Sequence, residues 1–132
     1  MIRLCLIFFS SVIYSQELID KYINQVLSSD ISEAQEKLPE YQEKYPNHPG
    51  VLYLSALLEI DGDKAKEKFL QIYSDHRGSK YAELSILKIS EYYYTSGLYQ
   101  QSGNWIKKIP QYYSKSEYLE KSIKLFINSL VV

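Results

Sequence analysis

Cysteine is nearly missing: the single one among 132 residues is Cys5. It sits at the start of a short apolar stretch, whereas a lipid-bearing cysteine would follow such a stretch. Residues 1–15 read as a secretory signal peptide. Arg3 supplies the positive charge, Leu4 to Phe9 with Val12 and Ile13 supply the apolar segment, and Ser15 is the small residue before cleavage. With residues 1–15 removed, the chain starts near Gln16 and has no cysteine. That excludes disulfides, a thiol nucleophile and a thiolate metal site. Long hydrophobic runs are also missing. The apolar stretch at residues 4–13 is broken by two serines, and a membrane-spanning helix needs about 20 residues. A stable span after cleavage is therefore not expected.

Proline and glycine are scarce, at four and five residues. That is too few for an all-β chain built on tight turns. Strong charge is lacking too: the net charge is −1, which argues against nucleic acid as a partner. The last 36 residues, from Gly97, carry a mild excess of positive charge. Lys107, Lys108, Lys115, Lys121 and Lys124 stand there against Glu117 and Glu120, and read as a solvated face. No Gly-x-Ser-x-Gly, phosphate-binding glycine loop or His-Glu-x-x-His is present. His48 and His76 are the two histidines, and both read as loop residues with turn roles. No catalytic set, cofactor or metal site is expected.

What the chain has is helical periodicity and tyrosine, 14 of 132 residues. A tyrosine joins a large apolar ring to a polar tip, so it suits half-buried walls and interfaces. Apolar residues recur at steps of three and four along nearly the whole chain, and the fold class is all-α. The first helix, 16–28, carries Leu18, Ile19, Tyr22, Ile23, Val26 and Leu27. Ser28-Ser29-Asp30 breaks it and offers capping oxygens to the next helix. That helix carries Ile31, Ala34, Leu38, Tyr41 and Tyr45, with Pro39 inside it as a kink. Residues 50–60 are almost continuously apolar and read as helix, because leucine and alanine outnumber β-branched residues. Asp61-Gly62-Asp63 reads as a turn before a fourth helix through Ala65, Phe69, Ile72 and Tyr73. Residues 79–109 are two helices joined at Gly97, where glycine suits a left-handed helix end, and Pro110 stops the second. Tyr112-Tyr113-Ser114 reads as a connector. A seventh helix spans 116–131.

Internal repeats are visible. Ala34-x3-Leu38-x2-Tyr41-x4-Pro46 shares its spacing with Ala65-x3-Phe69-x2-Ile72-x4-Arg77 and with Ser102-x3-Ile106-x2-Ile109-x4-Ser114. Tyr45, His48 and Gly50 also match Tyr73, His76 and Gly78, at an offset of 28. At these positions the chain resembles the tetratricopeptide-repeat family. Ile89-Ser90-x2-Tyr93-Tyr94-x2-Gly97-x-Tyr99-x2-Ser102 is similar to that family's first helix and turn, with Ser90 and Ser102 in its small-residue places. Tyr22 departs from the pattern, standing where a small residue is usual.

The resemblance implies a right-handed superhelical stack of antiparallel helix hairpins. The repeats would fall at about 16–48, 49–78 and 79–114, with a final helix at 116–131. Exported cell-envelope members with Tyr-Pro after the second helix look closest. They imply a non-catalytic periplasmic adaptor that binds a protein or peptide. Its expected groove would offer Tyr22, Tyr53, Glu91, Tyr93 and Tyr94. A second reading is a structural subunit that docks into a larger envelope complex through the apolar last helix, by Leu119, Ile123, Phe126, Ile127 and Leu130. A second copy of the chain is one candidate for what that helix meets. A small cell-wall hydrolase is the third reading.

Overall fold

The structure is a computed structural model and describes residues 16–131. The signal-peptide reading of residues 1–15, Cys5 within it, and Val132 lie outside the described residues. Among the described residues every regular element is a helix and none is a strand. None of these helices is long and apolar enough to cross a membrane.

The helices are α1 (16–27), α2 (Ser32–Lys44), α3 (Pro49–Leu57), α4 (Gly62–Asp75), α5 (Lys80–Thr95), α6 (Tyr99–Ile106), α7 (Lys108–Tyr112) and α8 (Leu119–Val131). They belong to two compact units, one ending at Leu58 and the other starting at Glu59.

In the first unit, α1 buries Ile19, Tyr22 and Ile23, α2 buries Ala34, and α3 buries Val51, Tyr53, Leu54 and Ala56. Lys21 and Gln25 of α1 both reach Glu33 of α2, at 3.1 and 2.8 Å. Those two hydrogen bonds hold the Glu33 carboxyl below the usual carboxylate range, Gln25 contributing most and Lys21 next. Pro39 lies within a single α2, not between two helices. The expected serine or aspartate cap of α2 is not formed. Ile31 takes the cap position without a side-chain bond, while Asp30 accepts from Ser32 at 3.2 Å instead.

In the second unit, α5 is central, packed against α4 on one side and α6 on the other. Ile86, Leu87, Ile106 and Ile109 form its buried core, and Trp105, Leu125 and Phe126 pack around them. Helix α8 lies mainly on α6. Ser90 and Ser102 are both buried and clasp α5 to α6. Their hydroxyls are 2.9 Å apart, and the Ser102 hydroxyl donates to the Ser90 carbonyl at 2.9 Å. Between α6 and α8, a Cβ added at Gly103 would stand 2.5 Å from the Ser129 Oγ and 3.7 Å from Phe126. Small residues thus set the spacing on both sides of α6.

Three sequence expectations for this unit need correction. Asp61-Gly62-Asp63 is the start of α4, not a free turn: the Asp61 carboxylate accepts from the Asp63 and Lys64 amides at 3.0 and 3.2 Å. The helix expected over 98–109 breaks at Lys107, three residues before Pro110. A proline removes its own N–H and crowds the carbonyl four residues back, here that of Ile106. The chain therefore resets at Lys107, and Pro110 falls in the first turn of α7, where no N–H is needed. Tyr112 then belongs to α7 and not to a connector.

The repeat is visible in the backbone. Tyr45, His76 and Tyr113 end α2, α4 and α7 in one conformation, with φ and ψ of −136° and 60°, −129° and 41°, and −127° and 55°. Each donates its N–H to the residue four before it, and each carbonyl accepts from the residue three after it, namely His48, Ser79 and Ser116. Those three side chains accept from the backbone N–H groups of Gly50, Ala82 and Tyr118, at 3.1, 3.2 and 2.9 Å. The first two turns are related by the helix spacing that aligns Ala34 with Ala65. The Tyr, His and Gly match at an offset of 28 is not the structural register, since His48 caps a following helix and His76 ends a preceding one.

Candidate functional site

The five groove residues expected from sequence separate into three environments. Tyr22 and Tyr53 are core residues, 5% and 1% exposed, so their rings cannot line an open groove. Tyr22 meets Tyr41 edge to face at 5.8 Å between centroids, in the usual range for aromatic pairs. The broad apolar stripe that marks each helix also turns these tyrosines inward.

Glu91, Tyr93 and Tyr94 remain at least partly exposed on the last turns of α5. Successive helical residues point about 100° apart, and Tyr92, Tyr93 and Tyr94 follow that rule. Tyr92 turns to α4 and donates to the Asp63 carboxylate, while Lys66 lies 5.0 Å from its ring centroid. The Tyr92 hydroxyl, then the Lys66 ammonium, hold the Asp63 carboxyl below the usual range, and Asp63 in turn raises the phenol. Tyr94 turns to α6 and meets Tyr99 edge to face at 5.1 Å. Tyr93 lies between them, against Tyr92 at 5.5 Å.

Glu91 and Tyr94 line a cavity of about 90 Å³ with Ser90, Thr95, Ser102 and Leu125. Tyr93 is not part of that wall. Nor is Glu91 an unengaged carboxylate: Lys88 reaches it at 3.0 Å and Lys121 of α8 at 4.0 Å. The cavity has room for a small apolar side chain, with an ion pair at its rim.

The expected docking helix has two faces. Ser122 and Ser129 are buried, and Leu125 and Phe126 are half-buried against the core. Phe126 therefore belongs to the inner side. Ile123, Ile127, Leu130 and Val131 are exposed, at 42%, 52%, 69% and 80%. Leu119 is intermediate. This is the largest run of exposed aliphatic side chains on any single described helix.

A second surface went unrecognised in the sequence. Tyr73 in the last turn of α4, Arg77 two residues past its end, Lys108 and Tyr112 of α7 and Tyr113 just after it line an open cleft of about 430 Å³. The Arg77 guanidinium lies 5.1 Å and the Lys108 ammonium 5.7 Å from the same Tyr73 ring centroid. Lys108 also lies 5.2 Å from the Trp105 ring, which packs edge to face on Tyr73. The Tyr113 hydroxyl donates to the Arg77 carbonyl at 3.0 Å. Burial, with Tyr73 and Glu83 nearby, raises the Tyr113 phenol. The available sequence signals were the excess of lysine after Gly97 and the Tyr112-Tyr113 pair, read as a solvated face and a connector. Their convergence with Tyr73 and Arg77 depends on folding.

Among the described residues no three His, Cys, Asp or Glu side chains group closely enough to hold a metal ion. Comparison with protein-family models, with curated proteins and with solved structures returned no match to this chain.

Proposed function

We propose that this chain is an exported, non-catalytic helical-repeat module that docks onto a protein partner through the outer face of α8. The observation that carries this reading is the stripe Ile123, Ile127, Leu130 and Val131, exposed along one helix whose opposite face is packed. An apolar stripe left in water is unfavourable and marks an interaction surface. The partner we infer presents a groove between two helices. Pairing α8 with its equivalent in a second copy would match one 13-residue helix with another, a length of about 20 Å. One such helix pair buries well under the roughly 1,000 Å² that a stable interface needs, so a groove that embraces α8 fits better. The repeat part of the reading draws support from the recurring turns at Tyr45, His76 and Tyr113. The superhelical stack and the cell-envelope location remain part of the proposal and rest on the sequence resemblance and on residues 1–15.

The test is site-specific photocrosslinking in cells. A photoreactive residue at Ile127 is expected to give one discrete heterologous adduct, and one at the exposed Lys64 of α4 none. Ile127→Asp should abolish the adduct formed from position 123 while thermal stability is kept. An adduct of twice the chain's own mass would replace the heterologous partner with a second copy. Equal adducts from positions 64 and 127 would sink the reading. The groove reading around Glu91 and Tyr94 takes second place, because Tyr22 and Tyr53 are buried.

A further inference from the structure

We propose that the cleft between the end of α4 and α7 binds an acidic peptide segment, whose carboxylates sit at Arg77 and Lys108 and whose backbone lies against Tyr112. The site uses residues separate from the α8 stripe and does not depend on it. Two cations are drawn to one tyrosine ring, 5.1 and 5.7 Å from its centroid. Both cations face the one ring, and neither is paired with a carboxylate among the described residues. This contrasts with three lysines elsewhere in the unit. Lys66 pairs with Asp63 and Glu67, Lys88 with Glu91, and Lys124 with Glu120. Glu83, the carboxylate facing Tyr113, is engaged by the Ser116 hydroxyl.

The aromatic faces hold the two cations in place by cation–π attraction, so little side-chain freedom is left to lose when an anion arrives. The chemistry favours carboxylates spread along a peptide over a single phosphate. Phosphate sites draw on free backbone N–H groups and helix N-termini. Here the N–H groups of His76 and Tyr113 are already bonded to Ile72 and Ile109. The cationic side chains and the exposed Tyr112 ring are what the cleft offers, along an opening of about 430 Å³. A guanidinium and an ammonium lining one cleft provide charge-assisted hydrogen bonds to carboxylates spaced along a peptide, with the tyrosine ring as an apolar wall.

Trp105 is the sole tryptophan of the chain and lies 5.2 Å from the Lys108 ammonium, so its emission reports on the cleft. The experiment titrates the full chain at low salt with capped hexaglutamate, hexalysine and inorganic phosphate. Hexaglutamate is expected to change Trp105 emission saturably, and the other two are not. Arg77→Gln with Lys108→Gln should weaken hexaglutamate by about tenfold or more, and Lys108→Gln alone by several-fold, each with an unchanged helical circular-dichroism spectrum. Ile127→Asp should leave the titration unaltered, which separates this site from α8 docking. Absence of a saturable change, equal affinity in the double variant, or equal affinity for phosphate alone would each overturn the proposal.

Discussion

The α1–α2 turn and the α5–α6 turn have one backbone built from different residues. Ser29 has a φ of 71° and Gly97 a φ of 74°. Around each the hydrogen bonds are the same. Ser29 N–H bonds to the Val26 carbonyl and Asp30 N–H to that of Gln25; Gly97 bonds to Tyr94 and Leu98 to Tyr93. This is a Schellman helix end, which satisfies the last carbonyls of a helix. Seven residues before each turn stand Tyr22 and Ser90, and five after stand Ala34 and Ser102. All four are buried. One pair is filled by a large ring with a methyl group, the other by two hydroxyls that bond each other. The same backbone path thus accommodates different residues at these two places.

The largest expected effect comes from exchanging the fillings. Tyr22→Ser removes a buried ring and leaves a void, and should cost about 3–5 kcal/mol in urea unfolding. Ser90→Tyr forces a ring between α5 and α6, which approach closely enough for the Ser90 hydroxyl to sit 3.2 Å from the Ser102 carbonyl. Overpacking with two hydroxyl bonds broken should cost about 2–3 kcal/mol or more. A loss below about 1 kcal/mol for Tyr22→Ser would show that the ring is not what fills the space beside the first turn.

The serine clasp itself is worth less. Ser90→Ala and Ser102→Ala should each cost about 1 kcal/mol, because each removes one buried hydroxyl and its bonds. The hydroxyl-to-hydroxyl bond of 2.9 Å is lost in either single variant but only once in the double. The double variant should therefore cost less than the two singles added, by about 0.5–1 kcal/mol. Strict additivity in a thermal double-mutant cycle would mean that the two hydroxyls act independently through the opposing carbonyls.

Much of the second unit was legible from spacing alone. Ala82, Ile86 and Ile89 recur at helical intervals and are each fully buried. Gly97 announced its own turn, because a glycine where a helical pattern ends has few other uses. Ser29 gave no such notice, since serine adopts a positive φ only when the surrounding bonds hold it there. The apolar run over 50–60 predicts a helix that includes Ile60, yet Ile60 lies past the end of α3 and is 97% exposed. A continuous apolar run carries no period, so its limits cannot be seen in it. The cleft was out of reach for another reason. Tyr73, Arg77, Lys108 and Tyr112 come from segments more than 30 residues apart, and each taken alone looks like an ordinary surface residue.

The smallest effect tests most directly whether the two turns are equivalent. Both turn residues are exposed, and nothing lies within 4 Å of a Cβ placed on Gly97. A substitution at either place thus reads backbone conformation with almost no contribution from contacts. The left-handed conformation costs a residue with a Cβ about 1 kcal/mol relative to glycine, offset by the larger freedom glycine loses on folding. Gly97→Ser should destabilise by about 0.5–1 kcal/mol, and Ser29→Gly should stabilise by the same amount within a few tenths, as read from urea midpoints at constant slope. Because φ differs by so little between the sites, the two values must mirror one another if the turns are equivalent. A Ser29→Gly variant that loses stability would show that the Ser29 side chain supplies something the Gly97 turn does without, and the two helix ends would then share a shape but not a cause.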